Sequence, residues 1–255
     1  MTYDAAVALR MINNNNLRNA QGWCEFRDLR GALAATSDAP LPDLNALLDF
    51  TTDERNIDAV LDIGFALLRA FDCDPAAQVT PLDRPLSLPD RLSARGLHPS
   101  IRRSWMAFRG DPAAIRVNAD VDVRVAGPDD AATFATVHAG GEKWLKTLSL
   151  STTLTAMYEE GNTFYIGYLE GQPAGVCHLL RDGATAGIYA AATLKAQRRR
   201  GVCSTMTARA IADATAAGCD LICLSTVTAG DAERLYERLG FERVFESVLW
   251  ATPSA

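Results

Sequence analysis

The chain has 255 residues, 48% of them hydrophobic and 22% charged, which is the composition of a globular protein and not of a disordered one. A net charge of −6 argues against a generic binder of nucleic acid or of an anionic membrane. No apolar run approaches the roughly 18 residues that span a bilayer.

The N-terminus carries Asp4 and lacks a basic segment before an apolar one, unlike a secretory signal. Cys24, Cys73, Cys177, Cys203, Cys219 and Cys223 form no C-x-x-C pair, and His98, His138 and His178 lie far apart. No metal site and no disulfide scaffold is expected, and the default location is a reducing cytoplasm.

In chain order, residues 3–21 read as a helix with Val7, Met11 and Leu17 on its apolar side. Strand-like stretches follow at 23–26, 32–36 and 44–50, interrupted by Pro40 and Pro42. Ile57, Val60, Leu61, Phe65, Leu68 and Phe71 repeat at helical spacing, with Thr52 available as N-cap. A proline-rich loop at 74–90 leads to a short helix at 90–95, a stop at Gly96 and a strand at 101–108. Gly110, Asp111 and Pro112 mark a linker.

Past the linker, Val121, Val123 and Val125 alternate as a strand, and Pro128 opens a helix. A further helix is expected over 142–160. Strands at 163–169, 173–180 and 184–194 are separated by turns at Gly171 and at Asp182-Gly183. Then come a helix over 202–217 closed by Gly218, a strand at 221–227, a helix over 231–239 stopped by Gly240, and a final strand pair or bent strand over 241–251.

One internal echo crosses the two halves. RLSARGLHPSIRRSWMAF from Arg91 and LYERLGFERVFESVLWA from Leu235 both read as helix, glycine stop and long strand, with Gly96 aligned on Gly240. The echo suggests two copies of one fold, the first degenerate. Chance recurrence of a common α/β pattern is the alternative.

The stretch AATLKAQRRRGVCSTM, residues 191–206, follows an apolar strand and opens a helix. Backbone N–H groups at such a helix start point outward and the helix dipole adds positive charge, an arrangement suited to phosphate. Gly201 lets an anion come close to the backbone, and Arg198, Arg199 and Arg200 add charge. The bland alternative is a solvated basic turn. No G-x-x-x-x-G-K-[ST], no G-x-G-x-x-G after a first strand and no G-x-S-x-G occurs.

Residues 119–251 resemble the GNAT superfamily of N-acetyltransferases. The family's [RQ]-x-x-G-x-[GA] appears as Arg198-Arg199-Arg200-Gly201-Val202-Cys203, with cysteine in place of glycine or alanine. Its A-x-x-L-Y-x-x-x-G-F appears as AERLYERLGF, Ala232–Phe241. The order of elements also matches.

The resemblance implies an α/β (α+β) architecture of two GNAT-like mixed-sheet domains with flanking helices. Residues 1–117 would be the degenerate domain and 118–255 the acetyl-CoA-binding catalytic domain. It implies acetyl-CoA as cosubstrate, with its pantetheine arm beside Ala191, Ala192 and Thr193 and its pyrophosphate on the N–H groups of Arg199 to Ser204, so that Val202, Cys203 and Ser204 belong to the site. It implies Tyr236 as the acid that protonates the departing thiolate, although Ala232, Tyr236 and Leu239 would also share a packing face.

The general base is not visible. Asp182, Glu170, Tyr189 and His178 remain alternatives. The first half puts Asp53 and Glu54 where a phosphate loop wants arginine and glycine, which predicts one cofactor per chain. The acceptor is an unidentified amine of a small molecule or peptide, with no nucleic acid and no membrane partner. A non-catalytic acyl-CoA sensor or scaffold and a nucleic-acid binder are the rival functions.

Overall fold

The computed structural model describes residues 4–37, 41–141 and 160–253. The helix expected over 142–160 lies outside these residues apart from Glu160, which sits in a turn. The chain forms two compact units. Unit 1 gathers residues 1–22, 106–225 and 234–242, and unit 2 gathers 23–105, 226–233 and 243–255. The division therefore does not follow the expected boundary at residue 117. Gly110, Asp111 and Pro112 do not link the units; Pro112–Ala114 form a 3-10 turn inside unit 1, while the unit boundary falls between Trp105 and Met106, within a strand.

In unit 2 the strands β1 (Glu25–Asp28), β2 (Leu33–Thr36) and β3 (Ala46–Leu48) are antiparallel neighbours. Helix α2 (Ile57–Ala70) then crosses to β4 (Ala76–Val79), which lies parallel to β3. Helix α3 (Leu88–Ala94) and strand β5 (His98–Phe108) follow. The core is Leu47, Phe50, Ile57, Leu61, Phe65, Leu68, Leu88 and Leu92. Gly64 lets α2 sit hard on β3, since a Cβ there would stand 2.6 Å from Leu47 Cδ1. Arg91 of α3 and its C-cap Arg95 pair with Asp58 of α2, and Arg95 also with Asp62. Helix α2 starts later than expected. Its N-cap is Asn56, because the Asp53 carboxylate folds residues 53–56 into a turn.

The second half of the sequence has a related order of elements, most of them in unit 1. β6 (Val121–Ala126) pairs with β7 (Asn162–Leu169), β7 with β8 (Gln172–Asp182) and β8 with β9 (Thr185–Thr193), all antiparallel. Helix α5 (Val202–Ala216) crosses to β10 (Leu221–Val227), which lies parallel to β9. Helix α6 (Asp231–Arg238) and strand β11 (Phe241–Ala251) close the chain. β11 is one strand, and its far end pairs with β4 in unit 2.

Two faces of the unit 1 sheet carry different helices. On one, α5 covers Tyr165, Cys177, Leu179 and Ile188. On the other, α4 (Ala131–Gly141), entered through a 3-10 turn at Pro128–Asp130, packs Phe134 and Val137 on Phe164, Ile166 and Val176.

Helix α1 (Ala5–Gln21) packs on β8 and β9 of the same unit, not with the first half of the sequence. Its buried residues are Ala8, Ile12, Asn13 and Asn15, while Val7 is 45% exposed. The buried face thus differs from the expected Val7, Met11 and Leu17. Asn15 explains the difference: its Oδ1 accepts the Tyr189 hydroxyl at 2.7 Å and its Nδ2 donates to the Leu180 carbonyl at 3.4 Å. A buried amide satisfied in this way fixes a helix against a sheet that hydrophobic spacing alone would turn elsewhere.

Candidate functional site: an open strand edge under a helix N-terminus

The site begins where a sheet opens. β9 and β10 pair in parallel from Thr185/Leu221 as far as Ile188/Leu224. Both strands run on, to Thr193 and Val227, with no further register between them among the described residues. One edge of 189–193 thus has no register with β10 among the described residues, while the other pairs with β8 as far as Gly175/Thr193. Inside this segment β9 bulges. Between the pairs Val176/Ala192 and His178/Tyr189, β8 advances two residues and β9 three. Ala190 takes φ 50°. A bulge leaves one residue out of the ladder and re-aims its neighbours. A backbone edge with unspent N–H and C=O groups is one to which an extended chain can add as a further strand.

The loop at the head of β9 delivers a helix N-terminus to this edge. After a 3-10 turn at Lys195–Gln197, Arg199 takes φ 63° and Gly201 φ 80°. Helix α5 then starts, and its first helical hydrogen bond runs from Thr205 N–H to the Gly201 carbonyl at 3.0 Å. The N–H groups of Val202, Cys203 and Ser204 precede it and have no carbonyl within the helix to meet. Arg198 Nε donates to the Thr193 carbonyl at 3.2 Å, tying the loop to the strand. Arg200 is engaged with Glu170 and with Gln197 Oε1, the latter at 2.7 Å. Arg199 is exposed.

Gly201 has a second role beside the one its sequence context gives it. A Cβ there would lie 2.9 Å from Asn118 Cβ, and φ 80° disfavours any side chain. Asn118 buttresses the loop: its Nδ2 donates to the Arg200 carbonyl at 2.9 Å, and its backbone N–H donates to Thr205 Oγ1 at 2.9 Å.

Two further glycines set the height of α5. Gly167 of β7 and Gly175 of β8 are register partners. A Cβ on Gly167 would stand 2.8 Å from Met206 Sδ, and one on Gly175 would stand 2.7 Å from Val202 Cγ1 and 3.0 Å from the Ala192 carbonyl. The first turns of α5 rest on this flat patch. Gly175→Val should lift the helix start, destabilise the protein by about 1–3 kcal/mol and weaken any anion binding at the loop. Thermal melts with and without ligand measure both effects. Asn118, Gly167 and Gly175 carry no motif, and glycines inside strands were the one available signal for the last two.

Tyr236 reaches the same helix start. In α6 the buried residues are Glu233 and Tyr236, followed by Leu239, whereas Ala232, expected on that face, is exposed. The Tyr236 ring packs edge-on to Phe241 at 5.8 Å, and its hydroxyl lies 4.0 Å from Cys203 Sγ. Burial holds the Tyr236 phenol well above its ordinary pKa of 10. Burial also raises Cys203, a rise that its contact with Tyr236 opposes. Both groups are therefore protonated at neutral pH.

None of the alternative bases stands free at this point. Glu170 is paired with Arg200. Asp182 sits opposite Thr185, at the other end of β9. Tyr189 donates to Asn15, and burial raises its pKa well above 10. His178 Nε2 is 2.7 Å from Asn162 Oδ1, its ring stacks on Phe164 at 4.4 Å, and burial lowers its pKa to about 3.

The parallel crossover, the bulged strand and the helix start at its head belong to one mixed α/β unit. Residues 160–243 match the family described as acetyltransferase (GNAT) domain. Among solved structures, a GCN5-related N-acetyltransferase from Kribbella flavida is similar over the whole of this chain and 97% of its own, at 18% identity and a TM-score of 0.72. One from Sphaerobacter thermophilus aligns over 99% of this chain and 95% of its own, at 16% identity and a TM-score of 0.69. A tandem GNAT protein from the clavulanic acid biosynthesis pathway aligns over 88% and 80%, at 16% identity and a TM-score of 0.62. These likenesses show the mixed α/β fold. No curated protein sequence matches the chain.

Proposed function

We propose that the chain is an acetyl-CoA-dependent N-acetyltransferase acting on a primary amine of a small molecule or peptide. The observation that carries this reading is the parting of β9 and β10 beyond Ile188 and Leu224, with the unpaired N–H groups of Val202, Cys203 and Ser204 at its head. The residues present fit the cosubstrate. Ala191, Ala192 and Thr193 would pair with the pantetheine arm as an added strand. Arg199, Gly201, Val202, Cys203 and Ser204 would hold the pyrophosphate on backbone N–H groups, with the exposed Arg198 and Arg199 adding charge.

Bound there, acetyl-CoA supplies a thioester acetyl group. Backbone N–H groups at the bulge around Ala190 and Ala191 would steady the oxyanion that forms when an amine attacks it. Tyr236 would give its phenolic proton to the departing sulfur. The raised pKa keeps that proton in place until a stronger base, the leaving thiolate, is generated beside it. His178, whose pKa burial lowers to about 3, and Glu170, engaged by Arg200, are not proposed as the base that deprotonates the incoming ammonium.

In unit 2 the corresponding crossover, β3–α2–β4, is closed to phosphate. The Asp53 carboxylate accepts the N–H groups of Arg55 and Asn56, each at 3.0 Å. It thus sets a negative charge where an anion would bind. We read residues 1–117 as the degenerate copy and 118–255 as the functional one, in a tandem arrangement whose compact units exchange their terminal segments.

Calorimetric titration with acetyl-CoA tests the cosubstrate, and release of free thiol across a panel of amino acids, polyamines, aminoglycosides and N-terminal peptides tests the reaction. Saturable binding of one acetyl-CoA is expected. Absence of binding by the folded protein would remove the reading, and binding without thiol release for any amine would favour the acyl-CoA sensor.

A further inference from the structure

We infer that Cys203 is a positioning residue for Tyr236, its thiol serving as the hydrogen-bond donor that supports the phenol oxygen while the tyrosine gives up its proton. The inference rests on the acetyltransferase reading above and goes beyond it, because the resemblance assigns this position only to the phosphate loop.

The observation is the environment of one oxygen. Tyr236 is 6% exposed and belongs to an apolar cluster with Met206, Ala210, Leu239 and Phe241. A buried hydroxyl needs a partner. The partner in reach is Cys203 Sγ at 4.0 Å, and either atom can donate across that contact. Cysteine stands where the GNAT pattern has glycine or alanine, neither of which carries a side-chain donor. The thiol at this position is a departure from that pattern.

The chemistry gives the contact a direction. As the proton moves from Tyr236 Oη to the leaving sulfur, negative charge grows on the phenol oxygen in a site where burial, and after it Cys203 when the hydroxyl rather than the thiol donates across their contact, disfavours it. A donor on that oxygen lowers the cost. Cys203 is a thiol and not a thiolate because burial raises its pKa from 9.0, so its proton is available as a donor throughout. The proton balance closes without it leaving sulfur. One proton passes from Tyr236 to the departing thiol, one returns to Tyr236 from the deprotonating amine through solvent, and the Cys203 S–H bond remains intact. The titratable groups facing Cys203 are Tyr236 from α6 and Cys177 from β8; burial holds Cys177 up as well, so both are neutral in the same range.

The test measures thiol release from acetyl-CoA with hydroxylamine, an acceptor that is already neutral at pH 7 and needs no base. Cys203→Ala should lower kcat about fivefold, the worth of one modest hydrogen bond, and leave both KM for acetyl-CoA and the calorimetric Kd for coenzyme A within twofold. A donor role also requires the protonated thiol. The wild type should therefore lose activity as the pH rises above 9 through the Cys203 pKa, and Cys203→Ala should lack that limb.

A mere packing role would not move the pH profile. Cys203→Ala with wild-type kcat and an unchanged alkaline limb overturns the inference, provided Tyr236→Phe is inactive. If Tyr236→Phe releases thiol as fast as the wild type, or the wild type releases none with hydroxylamine, the acid assignment fails and the inference with it.

Discussion

Tyr236→Phe should lower turnover by roughly 10² to 10⁴, the usual worth of a positioned general acid, and leave coenzyme A affinity nearly unchanged. The substitution removes one buried oxygen and keeps the ring against Phe241 at 5.8 Å. Its effect on stability should be small, since the lost contact, a 4.0 Å approach to Cys203 sulfur, is weak. The sizes of the two effects separate the roles. A tyrosine that only packs would be replaced by phenylalanine with little loss of rate, whereas an acid would lose its rate and keep its melting temperature. Steady-state kinetics beside a thermal melt reads both. A rate within twofold of wild type would leave packing as the sole function of Tyr236, unless single-turnover measurement shows that product release masks the chemical step.

Ser204→Glu should weaken coenzyme A binding at least about 30-fold without harming the fold. Ser204 is the third residue of α5, behind the Gly201 N-cap. Glutamate at that position suits a helix start, where a carboxylate meets free N–H groups and the positive end of the dipole, a gain of about 0.3–1 kcal/mol. The same carboxylate would face the pyrophosphate. Each repelling charge about 4 Å away costs roughly 1–4 kcal/mol at effective dielectrics from 80 to 20, so two phosphate charges should weaken binding about 30-fold or more. A variant that melts no lower than wild type and still fails to bind would place the anion on the helix start. The titration would also count sites. If Asp53 closes the first-half crossover, no residual site appears in Ser204→Glu, and the wild type binds one equivalent. A second equivalent surviving the substitution would refute the silent-half reading.

Much of the second half was legible because its signals are local. Gly218 and Gly240 end helices in the left-handed conformation only glycine accepts cheaply, with φ of 81° and 95°, and the strands between 162 and 193 are largely continuous buried runs separated by turns at Gly171 and Gly183. The loop at Arg198–Ser204 was legible for the same reason, as strand, basic turn, glycine and helix follow one another along the chain. What escaped depends on residues distant in sequence. Asn118 buttresses a loop some eighty residues later, and its partners, the Thr205 hydroxyl and the Arg200 carbonyl, leave no mark on local pattern. The orientation of α1 is set by Asn15 meeting Tyr189 and Leu180, so the apolar stripe pointed to the wrong face. At α6 the buried carboxylate of Glu233, which accepts the Ala229 N–H and the Arg243 guanidinium, displaced Ala232 from the inner face. Patterning reads Glu as outward, and only a partner ten residues on reverses that.

The pairing of β11 with β4 has a consequence for biosynthesis. Trp250 lies opposite Ala77 and Ala251 opposite Ala76, so the first half's sheet gains this neighbour only some 170 residues after β4 is made. Residues 5–21 belong to the unit whose helix α5 is made about 180 residues later. Neither unit is a contiguous stretch that could finish folding as it leaves the ribosome. Helix α2, with its wholly apolar inner face, must wait with β4 still lacking this strand. For this chain, the interval between synthesis of β4 and synthesis of β11 is a period of exposed strand edge, when aggregation competes with assembly.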